Sequence, residues 1–226
     1  MPVRDVFQAE AERLSRVLGG LTEAEYQRPT PCPPWNVRGL AAHVRTGAGR
    51  VIGMLAEPAP PRAVVDAADY FGPAKFTPET DAARVDTAQR EGAEFDTGRA
   101  LAEDFDRTWR AAYAASAAAE PGRVVRTRHG DPMTLDDFLV TRVVELGVHG
   151  LDLATALGRE PWLTAPAGEL IAGLLTRAAG AAGAGLADEL RWDRLTLIAK
   201  ATGRWPLTTA ERAEIDRRGV RWLAFG

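Results

Sequence analysis

Apolar side chains recur every three or four positions along most of this chain, which is the spacing of amphipathic helices. The first stripe covers residues 3–18 and ends at two consecutive glycines, Gly19 and Gly20. Glycine is a weak helix former, so the pair is a natural stop. The pattern of the chain as a whole predicts an all-α fold.

Polar capping residues indicate where the early helices begin. Thr22 and Glu25 have the spacing of a capping box and predict a short helical turn. Residues 29–35 are rich in proline and must form an ordered or extended loop, because proline does not fit a helix interior. Asn36 follows this loop and caps a second long helix.

The middle of the chain is less regular. Residues 79–119 are helical in character, with Gly92 and Gly98 as points where the helix can break or kink. Residues 124–133 are compatible with either a short hairpin or a loop. No strand pattern of any length is present, so these residues do not change the all-α prediction.

The second half of the chain contains one long helix and several shorter ones. Thr134 caps the long helix and Gly158 is suited to end it, while Thr164 caps the next one. Two further short helices are expected before the C-terminus. We therefore predict two parts: a bundle of four long helices over residues 1–160, and a short helical C-terminal extension over residues 161–226 that packs on the bundle.

The composition is that of an ordinary soluble protein, with 226 residues, 46% of them hydrophobic and 26% charged. The net charge of −3 and the lack of a basic stripe argue against nucleic acid as a partner. The N-terminus has no apolar signal region and no apolar run reaches membrane length, so we expect a cytoplasmic protein without a membrane partner. The single cysteine, Cys32, lies in the proline-rich loop and is interpreted as a small apolar filler.

Candidate chemistry is concentrated on the two helices that carry histidines. Glu145 and His149 are four residues apart, so their side chains share one helix face, beside a stripe that is otherwise largely apolar. On spacing alone an ordinary surface ion pair is the simpler interpretation. A buried acid beside a histidine needs a cationic partner, however, and His43 on the earlier helix supplies a third ligand. Three such ligands would form an open metal site.

Two segments resemble a known family. The segment from Thr30 to Val44 contains a tryptophan, a helix cap and a histidine eight residues after the tryptophan, and it resembles the metal-binding helix of DinB-like four-helix bundles. The segment from Glu145 to Arg159 is similar to the later motif of the mycothiol-dependent maleylpyruvate isomerase family. Residues 202–207, Thr-Gly-Arg-Trp-Pro-Leu, also look like a fragment from the C-terminal region of that family.

The resemblance implies a divalent metal, usually zinc, held by His43, Glu145 and His149. Three protein ligands leave a fourth position open, as in catalytic zinc sites. Asp152 fits the His-x-x-Asp pattern of the family and would orient the imidazole of His149. A solvated acid, or one paired with Arg159, is the alternative for Asp152.

The resemblance also implies mycothiol as a thiol cosubstrate and a small-molecule electrophile as substrate, in an isomerase or a thiol S-transferase. Arginines 38, 45 and 142 lie on the two ligand-bearing helices and are candidates to contact sugar or carboxylate groups. Characterised isomerases of this type carry a further α/β domain, whereas residues 161–226 are helical in pattern.

We therefore predict a thiol-dependent metalloenzyme and leave its substrate open. The alternatives are a metal-dependent hydrolase that activates water, or a non-catalytic binding or stress-response protein in which the metal braces the bundle. The apolar residues of the C-terminal tail can dock on the bundle or on a second subunit, so a homodimer also stays open.

Overall fold

Amphipathic stripes and capping residues produce twelve helices and one hairpin in the part of the chain that the structure describes. This computed structural model describes residues 1–72 and 78–224, and only the backbone of residues 78–81, 83 and 84. The elements, in chain order, are α1 (Val3–Gly19), α2 (Glu23–Tyr26), α3 (Val37–Ala56), α4 (Ala67–Tyr70), α5 (Pro78–Ala93), α6 (Gly98–Ala118), β1 (Val124–Arg126), β2 (Pro132–Thr134), α7 (Leu135–Leu157), α8 (Ala165–Ala178), α9 (Gly180–Gly183), α10 (Leu186–Glu189), α11 (Arg194–Ala201) and α12 (Thr209–Arg218).

The four long helices α1, α3, α6 and α7 pack against one another as a bundle. Their facing sides are apolar and almost fully buried, with Phe7 of α1, Leu40 of α3, Phe105 of α6 and Leu139 of α7 at the centre. Burial of these side chains is the main force that holds the bundle together. The predicted all-α bundle is confirmed.

The predicted helix ends are confirmed where a local capping interaction defines them. The Oγ1 of Thr22 accepts from the backbone N–H of Glu25, and the Glu25 carboxylate accepts from the backbone N–H of Thr22. The Asn36 side chain accepts from the backbone N–H of Gly39 and so caps α3. Gly158 ends α7 with a φ of 64°, a left-handed conformation that glycine adopts without strain.

The segment expected to be helical over residues 79–119 divides into α5 and α6. The break falls just before Gly98, where a Cβ would lie 2.0 Å from the Tyr26 ring. The hairpin alternative for residues 124–133 is also the observed one, with Val125 paired to Met133 across three-residue strands. Strands this short bury one residue each and show no alternation in the sequence.

The C-terminal helices contact the bundle. Helix α8 packs on α7 and α1, and α11 packs on α8 and α7. The buried Glu10 carboxylate of α1 accepts hydrogen bonds from the backbone N–H and hydroxyl of Thr164, at the start of α8. The division of the chain at residue 160 stays a prediction. None of the described helices is long and apolar enough to cross a membrane.

Candidate metal centre

The three predicted ligands come together between α3 and α7. The Oε2 of Glu145 lies 3.3 Å from Nε2 of His43 and 3.4 Å from Nε2 of His149. The two imidazole rings meet edge to face, with their centroids 5.2 Å apart. One donor atom from each residue lies within 4.8 Å of the others, so a single ion can contact all three.

The cluster is largely buried but not fully enclosed. The side chains of His149, His43 and Glu145 are 7%, 14% and 20% exposed. A donor set that keeps some exposure suits a centre that receives an external ligand, whereas a closed structural site excludes it.

A second contact orients His149. Its Nδ1 lies 3.0 Å from Oδ2 of Asp152, which is 1% exposed. Asp152 in turn accepts from Nε and Nη2 of Arg204, each 3.1 Å from a carboxylate oxygen. The alternative pairing of Asp152 with Arg159 is wrong, because Arg159 bonds to Glu25 on the exterior.

The electrostatics of the site favour charged groups despite their burial. Burial raises the pKa of Asp152, but hydrogen bonds and charge from His149 and Arg204 lower it to about 2. Burial likewise raises the pKa of Glu145, while the hydrogen bonds from the two histidines bring it well below its usual value. Both acids are therefore carboxylates near neutral pH, and neither can donate a hydrogen bond.

The state of His149 follows from these two carboxylates. Burial lowers the pKa of His149, but the hydrogen bonds that His149 forms with Asp152, Cys32 and Glu145 outweigh burial and raise it to about 10. Because ionised Asp152 can only accept, Nδ1 of His149 carries a proton and donates it to Asp152. The other nitrogen, Nε2, is the one directed at Glu145. The residues present fit a divalent cation, which would replace the Nε2 proton beside Glu145.

The indole of Trp35 covers one side of His43. The two rings stack with centroids 4.7 Å apart and planes inclined by 24°. Trp35 is 5% exposed and belongs to the core. Trp35 therefore packs as an anchor beside the site and restricts the orientation of the His43 ring.

Residues 7–154 match the family model described as the mycothiol maleylpyruvate isomerase N-terminal domain. The chain belongs to this family. The family expected from the two sequence segments is thus confirmed, and with it the DinB-like bundle fold.

Two solved structures have a similar fold. They are the mycothiol-dependent maleylpyruvate isomerase and a mutant of it in which a histidine is replaced by alanine. The TM-scores are 0.51 for the first and 0.52 for the mutant, each at 16% identity over 78% of this chain and 70% of theirs. At this identity the likeness shows the fold alone. No curated protein matches the chain.

Two residues near the centre of this family member were not identified from sequence. Cys32, interpreted as a filler, is half-buried and lies close enough to His149 and Asp152 for all three to offer donor atoms to one ion. Arg204 belongs to the Thr-Gly-Arg-Trp-Pro-Leu fragment between α11 and α12. That fragment was the one available signal for Arg204, whereas nothing in the sequence indicated the approach of Cys32 to His149.

The three candidate arginines have different surroundings. Arg45 forms an ion pair with Asp104, at 2.6 Å, and Arg38 donates to the backbone carbonyl of Gly92. Arg142 is 4% exposed and lies beside the aromatic rings of Tyr70 and Phe138. Of the three, Arg142 is the one buried in the α3–α7 region near Glu145.

Trp35 is one of the residues that line a polar groove of about 490 Å³. Its walls come from the end of α2, the start of α3 and the end of α5. The lining side chains with amide or charged groups are Gln27, Asn36, Arg38, Gln89 and Asp96. Amide, guanidinium and carboxylate groups around an indole wall can bind a polyhydroxylated ligand.

Proposed function

We propose that this chain is a metal-dependent enzyme of the maleylpyruvate isomerase type that uses mycothiol, a low-molecular-weight thiol, as cosubstrate. The observation that carries the proposal is the convergence of His43, Glu145 and His149 on one point that stays partly exposed. Family membership supports the choice of thiol.

His43, Glu145 and His149 would hold the cation, which we propose to be zinc. When bound, such an ion supplies a Lewis-acid position that lowers the pKa of a coordinating thiol. The role of Asp152 is to keep the proton of His149 on Nδ1 and so leave Nε2 available as a ligand. Arg204 positions Asp152 and balances its charge inside the protein.

The polar groove beside Trp35 would receive the sugar portion of mycothiol. The groove shares Trp35 with the metal centre, because the indole lines the groove and also stacks on His43. A ligand bound along this wall is therefore held next to the ligand-bearing helix α3. Gln89 and Asn36 offer both donors and acceptors to hydroxyl groups there.

The substrate would be a small electrophilic molecule. In both candidate reactions the thiol sulfur bonds to an electrophilic carbon of a double bond, and a proton goes to the neighbouring carbon. In an isomerase the new single bond rotates and the thiol then leaves with the proton lost again, whereas a transferase releases the adduct. We place the reaction in the cytoplasm, without nucleic acid or membrane as partner, and keep a homodimer as a proposal.

The experiment that tests this function is a thiol titration of the cobalt-substituted protein. Mycothiol should bind with a new sulfur-to-metal absorption band in the near ultraviolet, and Trp35→Ala should weaken that binding. A thiol that produces neither a band nor heat at millimolar concentration would contradict a thiol-dependent enzyme. Hydrolysis of an ester without added thiol would instead indicate that the centre activates water.

A further inference from the structure

The buried guanidinium of Arg142 forms no salt bridge with any of the described residues, although its positive charge acts on the nearby Glu145 carboxylate. Its Nε donates to Oγ1 of Thr141 at 3.1 Å, and its Nη2 donates to the hydroxyl of Tyr70 at 3.2 Å. Its central carbon lies 4.8 Å from the centre of the Phe138 ring. Neutral hydroxyls and aromatic faces compensate only part of the cost of burying a full positive charge.

Arg142 lies next to the metal centre in the same helix interface. On α7 it precedes Glu145 by three residues, so the two share a helix face. Its Nη1 lies 2.7 Å from the point where a Cβ on Gly47 would be, and Gly47 follows His43 by four residues on α3. The absence of a side chain at Gly47 provides the space for the guanidinium. Arg142 therefore lies about one helical turn from Glu145 on α7 and from His43 on α3, about 5 Å along the helix axes.

A second arginine, Arg50, lies beyond Gly47 on α3. It is half-buried and makes no hydrogen bond or ion pair with any residue of the described ranges 1–72 and 78–224. Arg50 follows Gly47 by three residues, so the two positions share one face of α3. Burial lowers the pKa of Arg50, and the positive charges of Arg128 and Arg142 lower it further. The Glu91 carboxylate raises that pKa, but it already accepts a hydrogen bond from Thr46.

We propose that Arg142 and Arg50 form an anion subsite that binds a carboxylate of the electrophilic substrate beside the metal centre. This subsite rests on the proposed function, because only that function makes the bound anion a substrate. A guanidinium binds a carboxylate through two parallel hydrogen bonds, and a buried one that forms no salt bridge within the protein can still take up such a ligand. The separation of about one turn fits a short carboxylic acid whose electrophilic carbon lies a few bonds from the carboxylate.

The test uses maleate, a small dicarboxylate, titrated calorimetrically into the metal-stripped and the zinc-loaded protein at constant ionic strength. Arg142→Met and Arg50→Met should each weaken maleate binding at least tenfold in both forms. The control is Arg107→Met, on the exposed side of α6, which should bind like the wild type. Dimethyl maleate, which has the same shape without charge, should show no difference among these variants.

Arg142→Lys covers the case in which Arg142→Met does not fold. It keeps the charge but loses the planar fork, and should also weaken maleate binding about tenfold with unchanged helical circular dichroism. Equal maleate affinity in wild type, Arg50→Met and Arg142→Lys would overturn the subsite. Maleate binding that requires zinc and is unchanged by both arginine substitutions would overturn the subsite too, because the anion would then be a ligand of the metal. Arginine-dependent binding in a protein that takes up no zinc would support the subsite while the proposed function failed.

Discussion

His149 and Asp152 are joined by a hydrogen bond of 3.0 Å between Nδ1 and Oδ2, across one turn of the same helix. The bond determines which nitrogen of His149 faces Glu145. Asp152 is itself held by Arg204 from outside the bundle helices. The metal centre is thus connected to the C-terminal extension through two side chains, and this connection can be tested one residue at a time.

Asp152→Asn should lower the affinity for zinc by about 10-fold to 100-fold. The neutral amide no longer holds the proton of His149 on Nδ1, and it no longer supplies a negative charge beside the imidazole. A competition titration with a chromophoric chelator measures the effect. Glu169→Gln, an exposed change on α8, is the matched control and should leave the affinity unchanged. Wild-type zinc affinity in Asp152→Asn would remove Asp152 from the account of the site.

Arg204→Met should destabilise the protein by about 3 kcal/mol, because it leaves the buried charge of Asp152 without its cationic partner. Chemical denaturation with and without Asp152→Asn forms a double-mutant cycle. In the Asp152→Asn background the same change at Arg204 should cost much less. Additive effects of the two substitutions would show that the ion pair contributes nothing to stability. Arg194→Met, at a more exposed ion pair, provides the control.

Glu10→Gln should alter how stability depends on pH. Burial raises the pKa of Glu10, and this outweighs its hydrogen bonds to Thr164. Because the pKa of Glu10 is higher in the folded than in the unfolded protein, protonated Glu10 contributes its full stability below the pKa of the unfolded chain, near 4.5. This contribution is lost as the pH rises through the pKa of the folded protein.

Gln cannot ionise, so Glu10→Gln should gain stability relative to the wild type as the pH rises above about 4.5. Urea denaturation at several pH values measures the difference, and a constant difference would contradict the raised pKa. Glu12→Gln, a change at an exposed position of the same helix, should show no such trend.

Gly98→Ala should destabilise the bundle by about 1–3 kcal/mol, because the new methyl group would overlap the ring of Tyr26. Gly53→Ala is the matched control. It lies on the exposed side of α3 with no atom within 4 Å of the added carbon, and alanine there should raise the stability by up to about 1 kcal/mol. Thermal denaturation of both variants checks the contrast. Equal shifts would show that Gly98 is not required by the contact with Tyr26.

The parts of the fold that depend on local interactions could be predicted from the sequence. The capping box at Thr22, the cap at Asn36 and the stop at Gly158 each involve residues within a few positions of one another. The relation of Glu145 to His149 is equally local, since helix geometry places residues four apart on one face. The meeting of His43 with this pair depends on how α3 packs on α7, and the family resemblance was needed to support it.

The rest of the site depends on loops whose conformation is determined by distant contacts. Cys32 approaches His149 because the proline-rich loop folds back beside α7, and no spacing in the sequence indicates this. Arg204 reaches Asp152 across 52 positions. The burial of Arg142 could not be predicted from the sequence either, because it depends on the packing of the Tyr70 and Phe138 rings against the guanidinium.

Zinc content decides whether His43, Glu145 and His149 form a metal centre, when the wild type is measured beside His43→Ala, Glu145→Ala and His149→Ala. All four proteins are purified without a metal-affinity tag, loaded with zinc, dialysed and measured by elemental analysis, with circular dichroism as the check on folding. The account predicts about one equivalent in the wild type and less than about a tenth in each variant. Less than about a tenth of an equivalent in the wild type, or full retention in a folded variant, would contradict it.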